Sequence, residues 1–218
     1  MTRYYLDERG TDLDALQDRL QRTDLIPSHE PLLDGLSDKL ASLKKAGVTT
    51  LANLRCALKA EKSLTSLSER SGVDAGYLRL LKRTINGFIP KPRSLREMDW
   101  LGADVTACLS KAGIKNTRHV FEAACGEPAK LARNTGISPE DARDLLSISD
   151  LCRIQWVSPN FARALVAAGN ADPATVAAAD PETLFEAIKK ANHNARFYKG
   201  TVGLRDIKRL VVAARYVP

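Results

Sequence analysis

At several points along the chain a small-residue turn is followed by lysine or arginine, a spacing suited to holding phosphate. Backbone N–H groups at the start of a helix carry partial positive charge, and a cation about one turn on adds to it. Gly113-Ile114-Lys115-Asn116 with Arg118 meets both requirements. Gly203-Leu204-Arg205 with Lys208 and Arg209 meets them best, although Asp206 offsets part of that charge. Ser158, Pro159 and Asn160 have no glycine but can cap a helix or bond phosphate, with Arg163 one turn on. Earlier in the chain Lys44, Lys45, Lys82 and Arg83 flank turns at Gly47 and Gly72. Two turns read differently. Gly136 precedes Glu140 and Asp141, which repel phosphate, so a structural cap is expected there. Trp100-Leu101-Gly102-Ala103 is followed by Asp104, placed where a phosphate would dock.

Other chemistry is not written into the chain. His29, His119 and His193 are far apart, with no cysteine or carboxylate at metal-ligand spacing, so no metal and no cofactor are expected. The glycines occur singly, without the Gly-Lys-Ser/Thr of a phosphate loop. Lysine Schiff-base chemistry at Lys82, Lys91 or Lys111 has no supporting motif, and the expectation is a non-catalytic protein. Cys56, Cys108, Cys125 and Cys152 form no Cys-x-x-Cys pair and read as buried, reduced thiols.

The elements that position these turns are repeated. LREMDWLGADVTACLSKAG, Leu95 to Gly113, returns 56 positions later as LCRIQWVSPNFARALVAAG, Leu151 to Gly169. Each copy holds one of the two tryptophans, Trp100 and Trp156. KKAGVTTLANL, from Lys44, matches SKAGIKNTRHV, from Ser110, and LSERSGVDAGYLRLL, from Leu67, matches LARNTGISPEDARDLL, from Leu131. Each unit runs as an apolar helix, a glycine turn and a capped second helix. Thr49 is expected to cap after Gly47, Ser138 after Gly136, and Thr11 at the first helix. Gly72-Val73-Asp74-Ala75 and Gly203-Leu204-Arg205-Asp206 read as turns of the same kind. β-Branched residues occur singly, without alternation. The fold class is all-α, tandem helix-hairpin-helix repeats of short helices joined by glycine hairpins. Gly47, Gly72 and Gly136 are expected to be structural, and Trp100 and Trp156 to pack between units.

The chain reads as three segments: residues 1–33, an acidic helical lead; 34–99, a first unit closed by the linker-like INGFIPKP, Ile85 to Pro92; and 100–218, the second and third units. The net charge is +7. It is uneven, with 13 basic against 7 acidic residues over 34–99, 7 against 7 over 100–155, and 9 against 5 over 156–218. A basic balance admits a polyanion as partner. MTRYYLDERG carries charge where a signal peptide would be apolar, and no run approaches a membrane span. A cytoplasmic location without membrane association is expected.

LSKAGIKNTRHV, LARNTGIS, DLCRIQWVSPNFARALVAAGN and DPETL with Asn192 after it carry a family resemblance. The grammar resembles the helix-hairpin-helix motif. The order of motifs resembles an uncharacterised bacterial family of tandem helix-hairpin-helix proteins, number four-three-three-two in the domain-of-unknown-function series. The likeness covers Trp100 to about Asn192 well and the first unit more loosely. It implies the fold more than an activity. The expected function is sequence-independent binding of DNA or another nucleic acid through hairpin backbone and Lys/Arg contacts. The alternative is a protein-interaction scaffold of stacked repeats, with the acidic lead or the tryptophan surfaces recruiting a protein partner.

Overall fold

The computed structural model describes residues 3–218. Among the described residues there are thirteen α-helices, two short 3-10 helices and no strand. After α1 (Leu13–Arg22) the helices fall into three sets of four. The first set is α2 (Leu36–Lys45), α3 (Leu51–Ala57), α4 (Glu61–Ser71) and α5 (Ala75–Gly87). The second is α6 (Ala103–Lys111), α7 (Thr117–Ala124), α8 (Pro128–Thr135) and α9 (Pro139–Leu151). The third is α10 (Pro159–Ala167), α11 (Pro173–Ala178), α12 (Pro181–Ala195) and α13 (Leu204–Ala214). Each set is therefore four helices with three joints, two of which turn on a left-handed residue in every copy.

The first joint is the same in all three copies. Each leading helix ends on an alanine followed by a glycine in the left-handed region: Gly47 at φ 88°, Gly113 at 75° and Gly169 at 87°. The next residue then donates back across the turn, Val48 N to Leu43 O, Ile114 N to Leu109 O and Asn170 N to Leu165 O, at 2.9–3.0 Å. This is the Schellman closure, which satisfies helix-end carbonyls and returns the chain for another helix. A cap stands three residues after each glycine. Thr50, Asn116 and Asp172 accept from the N–H groups of Asn53, His119 and Thr175. The capping residue is thus Thr50 rather than Thr49, and at α1 it is Asp12 rather than Thr11. In both places the side chain one residue nearer the helix reaches the orphan amide.

The second of these two joints holds in two copies and departs in the third. Gly72 and Gly136 close α4 and α8 at φ 70° and 77°, and two residues later Asp74 and Ser138 cap α5 and α9. In the third copy Arg196 takes the left-handed position at φ 50°, and residues 197–202 intervene before Gly203 caps α13. Gly203 has φ −98°, so it opens a helix and does not end one.

The chain divides into two compact units, Leu6–Ile89 and Pro90–Pro218, the latter also taking residues 3–5. In the first, Leu13, Leu16 and Leu20 of α1 share one leucine-rich core with α2–α5, including Leu40, Leu54 and Leu78. In the second, Leu109, Val120, Leu131 and Leu145 of the second set meet Leu165, Val176, Leu184 and Leu210 of the third. Arg153 is a buried charged residue of this unit. Its buried guanidinium donates to the carbonyls of Arg3, Tyr4 and Pro218 and pairs with Asp150, while lying 4.5 Å from the centre of the Phe121 ring. Tyr4 is anchored beside it through a 2.7 Å hydroxyl contact with Thr117, and burial pushes the Tyr4 pKa up to about 12.

Candidate nucleic-acid interface

Phosphate binding at a helix start needs open amides, and at most of these joints the amides are taken. Lys115 N donates to His119 Nδ1, Thr117 N to the carbonyl of Arg93, and His119 N to the Asn116 cap. Leu51 N and Ala52 N of α3 donate to Thr11 O and Glu8 O. The Ser158 hydroxyl accepts from Phe161 N. At Gly203 the amide donates to the Asp206 carboxylate at 2.9 Å, so an internal anion already holds the place expected for phosphate.

Several of the basic side chains are held by partners within the protein. Arg118 is bound to Glu122 at 2.6 Å and lies 5.4 Å from the Tyr5 ring centre. Lys82 donates to the carbonyl of Lys59 at 2.9 Å, where α3 ends, while its neighbour Arg83 is exposed. Arg163 is sandwiched between aromatic rings, 4.4 Å from the centre of Trp100 and 4.8 Å from that of Phe197. Desolvation pushes the Arg163 pKa down, opposed by Asp99 and Asp144. Lys115, Arg205 and Lys208 are exposed, with Lys208 a loose 3.8 Å from Glu182, and Arg209 is half-buried.

A basic surface lies where the third copy breaks the repeat. Between Glu186 and Asp206 there is no carboxylate, and Lys189, Lys190, Arg196, Lys199 and Arg205 are all exposed, as is His193. Two aromatic residues hold this segment in place. The Phe197 ring lies against Arg163, and Tyr198 meets Phe161 edge-on with ring centres 5.3 Å apart. Asn192 accepts from the Tyr198 N–H at 3.0 Å and donates to its carbonyl at 3.2 Å, closing the loop over the end of α12. Of these cations only Arg205 stands out when turns are graded one by one. The signal for the others is the acid-free run KKANHNARFYKG, which falls in an insertion relative to the repeat.

The two tryptophans differ. Trp100 is half-buried under Arg163 and lines a pocket of about 290 Å³ with Gly102, Asp141, Asp144 and Phe197. Trp156 is 55% exposed and sits at φ 71°. The expectation that both indoles pack between units does not describe Trp156, which no later helix set covers among the described residues. A left-handed conformation costs a non-glycine residue about 1–2 kcal/mol, so this indole is held outward under strain.

The thiols also depart from expectation. All four are free, but only Cys152 is buried, with its pKa pushed up to about 12 by that burial, while Cys56 and Cys125 are exposed. Among the described residues no group of three or more His, Cys, Asp or Glu is placed to hold a metal ion. No helix among them is long and apolar enough to cross a membrane.

Short helices with tightly closed turns make this an all-α protein. Residues 100–217, the second and third sets of helices, match the family described as Domain of unknown function (DUF4332). The match spans more than half of the chain, and the protein belongs to that family. No curated protein and no solved structure matches the chain.

Proposed function

We propose that the protein is a non-catalytic, sequence-independent nucleic-acid-binding protein built from tandem helix-hairpin-helix units. The Gly-apolar closures after α2 and α6 support the motif. The binding surface is the α12–α13 edge, with Lys189, Lys190, Arg196, Lys199, Arg205 and Lys208 as phosphate contacts. One observation carries the reading: nineteen consecutive residues, 187–205, without a carboxylate, five of them exposed Lys or Arg. A solvated face ordinarily mixes both signs, and a one-sign surface attracts a polyanion. Because several of the hairpin amides are internally bonded, the contacts are those of flexible cationic side chains. Such contacts fix neither register nor sequence, and their strength falls steeply with salt.

The test is fluorescence anisotropy with labelled duplex and single-stranded oligonucleotides at low and moderate salt. Binding that weakens as salt rises is expected. The combined variant K189E/K190E/K199E should lose most of the affinity and flatten the salt dependence. Absence of binding to every probe at low salt would falsify the reading. A protein-scaffold role has one observation in its favour, the exposed Ile26 and Leu33 that flank the 3-10 helix Pro27–Leu32. It requires recovery of a protein partner together with indifference to nucleic acid.

A further inference from the structure

The pocket of about 290 Å³ in the Pro90–Pro218 unit is lined from the turn before α6, from α9 and α10, and by Phe197. Small-molecule sites span roughly 300–1,000 Å³, so an occupant here has to be small. Much of the wall is apolar, from Trp100, Leu101, Leu145, Ile148 and Val166. Two charged lining residues of opposite sign are left open. The Trp100 and Phe197 rings lie against the Arg163 guanidinium, yet among the described residues it makes no hydrogen bond or ion pair. Its N–H edge thus has no protein acceptor. The exposed Asp144 carboxylate also makes neither kind of contact. Burial works against the Arg163 charge, and Asp99 and Asp144 favour it without touching it. Asp141, the other carboxylate of the wall, is already bonded to the Ser138 hydroxyl at 2.6 Å.

These charges exclude most kinds of occupant. A simple cation would meet Arg163 already on the ring faces, and a simple anion would meet Asp141 and Asp144. A neutral apolar molecule would desolvate both open charges and return no hydrogen bond to either. A small molecule carrying both signs avoids all three penalties. Its carboxylate would accept from the fork of guanidinium donors. Its ammonium would donate to Asp144, and an apolar side chain would cover the rest of the wall. We propose that this pocket binds a small α-amino acid with an apolar side chain, held as a zwitterion between Arg163 and Asp144. This site needs no nucleic acid, and its test uses none.

Equilibrium dialysis of the full chain with radiolabelled L-leucine, L-valine and L-methionine measures binding directly. At least one should bind saturably at a single site, with a dissociation constant below about 1 mM. The corresponding amine and the corresponding carboxylic acid each lack one of the two charges. Both should compete at least about tenfold more weakly than the unlabelled amino acid. Asp144→Asn should weaken binding and erase the advantage over the carboxylic acid, while Arg163→Gln should erase the advantage over the amine. That crossed pattern is not produced by a general loosening of the fold. Asp144 is exposed, so its variant should stay folded by circular dichroism and carries the test even if Arg163→Gln does not fold. No saturable binding of any of the three amino acids overturns the site. So does competition by either analogue as strong as the amino acid's own, or an unchanged preference in Asp144→Asn.

Discussion

Arg153→Met removes the charge of a buried cation while keeping much of its stem. The Arg153 side chain is only 4% exposed, and Asp150 beside it is 23% exposed. The change strips a donor from three backbone carbonyls and leaves a largely buried carboxylate without its partner. Breaking a buried pair of this kind costs about 3–5 kcal/mol, far more than a surface pair contributes. The loss depends on pH with a definite sign. Burial already raises the Asp150 pKa above the ordinary carboxylate value, against the opposing charge and hydrogen bond of Arg153. A carboxyl raised in the folded state contributes stability below its unfolded pKa and loses it as pH rises through the folded one. Without Arg153 the folded pKa climbs further, so acid relieves the variant more than the parent. Urea unfolding followed by tryptophan emission is the assay, because Trp100 and Trp156 both lie in the Pro90–Pro218 unit that Arg153 serves. A deficit of about 3–5 kcal/mol at pH 8 should shrink visibly by pH 5. A deficit below about 1 kcal/mol at pH 8, the scale of a surface pair, or one independent of pH, would refute the clamp.

The remaining predictions are local. With a thiol reagent at pH 8, Cys56 and Cys125 should react in the folded protein, while Cys152, its pKa pushed up to about 12 by burial, should react only on unfolding. Fast labelling of Cys152 under native conditions would contradict its enclosure. Asn192→Ala removes both side-chain bonds to Tyr198, at about 1 kcal/mol each. Hydrogen exchange at the Tyr198 amide should speed up while the middle of α12 keeps its protection. An unchanged Tyr198 amide would show that Asn192 does not hold the loop.

The repeated joints were legible because their causes are local. A glycine after an alanine-ending helix, and a capping residue three positions on, act within a few residues and leave a direct mark on the chain. The same locality misled at Gly203, since glycine serves both helix ends and only the backbone shows which. The basic edge was hidden for a different reason. Residues 189–199 lie where the third copy departs from the others, so no repeated turn marks them. Arg118 and Arg163 carried the right charge, but their partners Glu122, Trp100 and Phe197 are set by folded geometry. Arg153 left no trace at all, because its carbonyl partners are backbone atoms 65 to 150 positions away. Trp100 and Trp156 show the limit most simply. They are identical residues at one repeat position, yet Trp100 lies under Arg163 while Trp156 takes a left-handed backbone and is exposed.

The placement of residues 3–5 has a consequence for the order in which the chain is built. Leu6–Ile89 is continuous in sequence and meets its whole core as soon as it is synthesised. The later unit is split: Tyr4 is made before the Leu6–Ile89 unit, yet its partners Thr117 and Arg153 arrive more than a hundred residues afterwards. Closure of that unit must wait for Arg153 and for the carbonyl of Pro218. Residues 3–5 are made before the Leu6–Ile89 unit and find their places after it.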